Sequence, residues 1–184
     1  MKKVIAVAAI VLAGASSAFA ESSSIAKASL YDQIAAPKVD TVKGLELGLV
    51  YSNTPAIRGL QLNVIANKTE DLKGAQVAFA MNSAKSATGV QYGIYNTTKE
   101  LKGVQLGIVN SAEKAAGVQY SVYNTTKEMD GVQLGLVNYA EKFSGFQFAL
   151  VNYTVTMGKG LQIGVVNFIK NSKLPTMIIA NAKF

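Results

Sequence analysis

Val104, Leu106 and Ile108 alternate with Gln105, Gly107 and Val109, a two-residue period that puts two kinds of side chain on opposite faces of a β-strand. The phrase recurs along the chain. Gly44, Gly59, Gly74, Gly89, Gly103, Gly117, Gly131, Gly145 and Gly160 each open a copy, at steps of 14 or 15 residues. A degenerate tenth copy runs from Leu174 to Phe184. The six or seven residues between copies, such as Thr97–Lys102, are polar and too short for a helix, so they predict turns. Ten strands and nine short connections then account for residues 44–184, the β-repeat domain. Residues 21–43, with Ser22–Ser24 and Pro37, read as a weakly structured leader. Residues 1–20 read as a secretory signal peptide: Lys2 and Lys3, an apolar stretch from Val4 to Leu12, and Ala18-Phe19-Ala20 before Glu21.

A second period lies over the first, because residues 89–116 and 117–144 align as a unit of two copies. Connections reading Thr-Thr-Lys-Glu alternate with connections reading Ala-Glu-Lys. Such alternation suits the two unlike ends of an up-and-down antiparallel meander, or the two corners of a β-solenoid coil. In the meander each Gln lies beside a Gly of its neighbour and apolar residues meet on the other face. In parallel coils like stacks on like, giving Gln and Asn ladders.

Charge placement favours the meander closed as a small barrel. Glu46 is the single charged side chain in the nine eight-residue phrases opened by those glycines, and a soluble repeat sheet normally carries charge on its exposed face. An apolar band between charged rims suits a sheet closed in lipid, with Gln61, Gln76, Gln91, Gln105, Gln119, Gln133, Gln147 and Gln162 facing the lumen. The even strand count and the tyrosines near strand ends, among them Tyr95, Tyr123, Tyr139 and Tyr153, point the same way. The expected fold is therefore an all-β ten-strand barrel. The alternative is a β-solenoid with two strands per coil.

Cys and His are both absent, which removes disulfides, the common zinc sites and the Ser-His and Cys-His nucleophile pairs. No enzyme activity and no cofactor are expected. Without Lys2 and Lys3 the 18 basic residues become 16 against 11 acidic, a formal charge of +5 spread as single lysines, so no nucleic-acid partner is expected. Asn67, Asn96, Asn124 and Asn152 open glycosylation sequons but coincide with the repeat, where Asn serves turn geometry. Glu100, Glu113, Glu128 and Glu141 recur beside lysines, which suits a charged rim rather than a calcium site.

The Gly-Val-Gln-Leu-Gly-Ile-Val-Asn phrase at its 14-residue spacing resembles the bacterial exported surface-repeat proteins over residues 44–184, which implies an envelope or surface address. Gln105, Gly107, Asn110 and Ala112, and again Gln133, Gly135, Asn138 and Ala140, are similar to the repeat of curli-type subunits, which implies a fibre as a further alternative. The final stretch, with Ile178, Ala180, Ala182 and Phe184 on one face, resembles the C-terminal strand by which outer-membrane barrels are recognised. That likeness implies an assembly signal at Phe184 and the barrel-assembly machinery and outer-membrane lipid as partners. The expected function is a small exported envelope protein, a structural or narrow channel-like barrel of the outer membrane. The alternative is a soluble periplasmic or surface β-repeat protein that binds or adheres.

Overall fold

In a computed structural model, which describes residues 22–32 and 34–184, the chain is all-β. The expected signal peptide lies outside the described residues. Twelve strands form one sheet: β1 Ser23–Tyr31, β2 Ile34–Ala36, β3 Thr41–Gly48, β4 Tyr51–Asn63, β5 Ala66–Ala78, β6 Met81–Tyr92, β7 Tyr95–Leu106, β8 Val109–Tyr120, β9 Tyr123–Leu134, β10 Val137–Phe148, β11 Val151–Ile169 and β12 Thr176–Lys183.

From β3 to β11 every neighbouring pair is parallel and in register, so Asn96 lies beside Asn110 and Gln105 beside Gln119. This overturns the antiparallel barrel. One copy of 14 or 15 residues completes one coil, so the fold is the β-solenoid of the alternative, but with one copy per coil in place of two. The connections read as turns are themselves strand: in β8, Asn110 and Ala112 point inward from the first half of the coil, and Ala115 and Gln119 from the second. Inward positions shift from even to odd between Ala112 and Ala115, leaving Glu113 and Lys114 both exposed at a corner. They shift back between Gln119 and Asn124, across a second corner at Ser121 and Val122.

Polar ladders fill much of the interior. Each Gln amide nitrogen donates to the Gln oxygen of the preceding coil at 2.6–2.9 Å, from Gln162 down to Gln61. Each Asn amide nitrogen donates to the following coil's Asn at 2.8–3.1 Å, from Asn67 up to Asn167. The two ladders run in opposite directions. A second Asn hydrogen reaches a backbone carbonyl across the corner, as from Asn96 to Leu106 at 2.8 Å. Buried amides are thereby satisfied by repetition, which removes the desolvation cost of a polar core.

Between the ladders runs an apolar row that includes Ile57, Leu72, Leu101, Met129, Phe143 and Met157. Leu101, in the coil of Thr98, lies between Ala87 and Ala115, in the coils of Ala84 and Ala112, whereas Met129 lies between Ala115 and Phe143. The threonines also bond the ladder: Thr126 Oγ1 donates to Gln119 at 2.7 Å and accepts from Gln133 at 3.2 Å.

From Gly59 to Gly145 the recurring glycine has φ between +124° and +150°. A Cβ on Gly103 would sit 2.0 Å from the carbonyl oxygen of Gly89 in the coil below, so no side chain fits.

Both ends are closed by chain that lacks the repeat. Residues 22–43, expected to be weakly structured, hold β1, β2 and the start of β3. β1 pairs parallel with β3, and β2 folds back antiparallel on β1. Glu46 takes the place of Gln in this first coil. Its buried carboxylate accepts from Ser52, from Thr54 at 2.9 Å and from Gln61 at 3.1 Å, with Lys27 Nζ 3.5 Å away. At the other end β12 runs antiparallel on β11, placing Asn181 opposite Gln162. The Gln162 oxygen and the Asn181 nitrogen are the ladder's one unclosed acceptor and donor there.

Candidate functional site

The eight glutamines expected to face a lumen do point inward, but they are fully buried in a hydrogen-bonded core. No channel runs among them, because the coil closes within 14 residues and its two halves touch: Gln105 Nε2 reaches Thr98 Oγ1 at 3.1 Å across the coil. Phe184, expected as an assembly signal, is 98% exposed just after β12. That role was tied to the barrel. The sequon asparagines Asn67, Asn96, Asn124 and Asn152 are fully buried ladder members, which accounts for their recurrence and puts them out of reach of a sugar transferase in the folded chain.

Function therefore has to be sought on the outside, where the coil's two halves differ. Outward residues at and near the Glu113–Lys114 corner are charged and pair between coils: Lys127 to Glu113 at 3.6 Å, Lys142 to Glu128 at 2.9 Å and Lys85 to Glu70 at 2.5 Å. The hydrogen bond and charge of Lys142 hold Glu128 below the ordinary carboxylate value, and Glu128 in turn raises Lys142. Beside this corner Ser83, Thr97, Ser111 and Thr125 line a straight trough of about 700 Å³ that runs past Lys85, Lys99 and Lys127 and meets Tyr139 at one end. Tyr139 stacks on Tyr153 with ring centroids 5.5 Å apart. Among the described residues no group of three or more metal-binding side chains gathers. The expected charged rim is present, and in it Glu70, Glu113 and Glu128 each pair with a lysine of the next coil.

The opposite corner is apolar along the whole solenoid. On the second half of the coil one outward row runs from Leu45 through Val104 to Leu161, and the next from Leu47 through Leu106 to Ile163. A third row, on the corner itself, contains Phe79, Ile94, Ile108, Val122, Leu136 and Leu150. Ile108 is 49% exposed, Leu136 50% and Phe79 74%. No charged residue interrupts these rows. With coils ~4.8 Å apart and rows ~7 Å apart, nine copies and three rows make a face about 40 Å long and 14 Å wide, roughly 600 Å². That equals or exceeds the largest apolar patch of an ordinary soluble monomer, about 300–600 Å².

This exposure escaped sequence reasoning. The alternation showed Val104, Leu106 and Ile108 to share a face, and an apolar face was taken to need lipid around a barrel. The absence of charge in those rows was the correct signal; what it marked was an outer face of a narrow coil. No protein-family model, curated protein or solved structure matches the chain.

Proposed function

We propose that the protein is a non-enzymatic β-repeat protein of the cell envelope, exported by its leading segment, that uses the apolar face of its solenoid to bind or adhere. One observation carries this reading: three apolar rows remain in line through nine copies without a charged residue, whereas most charged residues of the repeat lie at the Glu113–Lys114 corner and in the row through Lys73 and Lys102. Covering roughly 600 Å² of apolar surface at about 25 cal/mol/Å² gains about 15 kcal/mol before the costs of association.

A rigid body suits an adhesive role. The ladders fix every coil to its neighbours, so the face is presented as one continuous strip without further ordering cost. The curli-like fibre is less well supported. The Gln ladder ends at Glu46, whose carboxylate is already occupied by three donors, and β2 with Pro37 blunts that edge.

Adsorption to an alkyl-coated surface tests the reading. The natural chain should bind, and the triple variant Ile108→Ser, Leu136→Ser, Leu150→Ser should bind at least tenfold more weakly with unchanged circular dichroism, whereas Lys99→Ser with Glu113→Ser should bind normally. Equal adsorption by the triple variant would refute the proposal.

A further inference from the structure

Resting on the reading of an adhesive apolar face, we infer that its partner is an anionic lipid surface, on which the solenoid lies with its long axis in the plane of the headgroups. The row next to the apolar strip, on the same flat half of the coil, runs Arg58, Lys73, Thr88, Lys102, Ala116, Asp130, Ser144. Arg58 is engaged with Asp71 at 2.6 Å, but Lys73 and Lys102 stand exposed beside the strip, with Asp130 the one acid of the row. At the far corner Lys85, Lys127 and Lys142 are each held by a glutamate of the preceding coil, Glu70, Glu113 and Glu128. Excess positive charge thus lies where the apolar strip ends. That is the arrangement of a body that inserts apolar side chains between headgroups while lysines meet lipid phosphates.

The tyrosines separate this partner from a second copy of the chain. Tyr92 and Tyr120 stand in the second apolar row, 56% and 58% exposed. In a dry face-to-face pairing of two solenoids their hydroxyls would be buried among Leu106, Leu134 and Val rows that offer no acceptor. At a headgroup layer the rings sit in apolar surroundings and the hydroxyls in water or on phosphate esters. The strip is also unbroken for about 40 Å.

Flotation of the full chain, as recovered from the producing cell, with vesicles of phosphatidylcholine alone and of phosphatidylcholine with phosphatidylglycerol tests the inference. Comparing variants in that same form cancels any contribution of the leading residues. The natural chain should float with the phosphatidylglycerol vesicles at least tenfold more strongly than with the neutral ones, less so as salt rises. The charge-reversal pair Lys73→Glu and Lys102→Glu should weaken that binding about 30-fold or more. Ile108→Ser with Leu136→Ser and Leu150→Ser should abolish it on both. Failure of the natural chain to float, together with a concentration-dependent dimer that the triple variant loses, would overturn the lipid partner in favour of a second copy and leave the adhesive face standing. Neither flotation nor self-association, with adsorption also unaffected by the triple variant, would remove both.

Discussion

Replacing one glutamine in the middle of the ladder should cost far more than replacing one at its end. Gln119→Leu conserves volume, so no cavity forms, but the hydrogen bonds at both ends of the side chain disappear. Gln105 Oε1 loses the amide that donates to it at 2.8 Å, and the Thr126 hydroxyl loses its acceptor at 2.7 Å. Gln133 keeps Thr126 Oγ1 at 3.2 Å. Two buried polar groups left unpaired, at ~1–3 kcal/mol each, give about 4 kcal/mol. At the ladder's end, Gln162→Leu leaves the Gln147 oxygen with its bond from Thr154 at 3.0 Å, and the expected cost is about 1 kcal/mol. Thr126→Ala belongs with the second class, about 1 kcal/mol, because Ala112 and Ala140 already fill that place in the neighbouring coils. Urea unfolding followed by circular dichroism reads the difference: with a slope of about 2 kcal/mol per molar, the Gln119 variant should lose about 2 M in midpoint and the other two about 0.5 M. Coincident midpoints for Gln119→Leu and Gln162→Leu would show that the ladder is stacked but not cooperative in satisfying its amides, and the account of the core would fail.

Gly103→Ala should cost at least about 3 kcal/mol, since the new Cβ meets the Gly89 oxygen at a backbone angle that L residues avoid; a thermal melt within a few degrees of the natural chain would contradict this. Glu46→Ala should destabilise by about 3–5 kcal/mol by stranding Lys27 in the buried end of the core, and Lys27→Met in the same chain should restore part of the loss, measured by chemical denaturation. Phe143→Ala, at a fully packed position of the apolar row, should cost about 3–5 kcal/mol in the same assay. Because Lys142 lowers the Glu128 pKa, the pair supports the fold above the ordinary carboxylate value and is lost as pH falls through the lowered one. An NMR titration of Glu128 should move up toward the ordinary value in Lys142→Ala, and an unmoved titration would refute the assignment.

Which side chains point inward and which outward was written in the sequence, because side-chain direction alternates residue by residue wherever the backbone is extended. Gln105 inward and Leu106 outward hold in either a barrel or a coil. The all-β class and the repeat length followed from the same local pattern. The two corners were legible too, in the shift of small and amide residues from Asn110 and Ala112 to Ala115, Gly117 and Gln119 and back to Asn124, but read as strand and turn they passed for a meander.

Closure was settled only in three dimensions. Whether a copy pairs parallel or antiparallel with the next is a contact between residues 14 or 15 apart, and the same apolar residues fit both. Parallel stacking has a consequence that no single copy displays: Gln meets Gln and Asn meets Asn, so amides between the ladder ends find both donor and acceptor, and polar residues become the interior of a narrow coil. The valines, leucines and isoleucines that a local reading assigns to a lipid-facing barrel wall are then left on the outside of a thin solenoid, as an exposed strip.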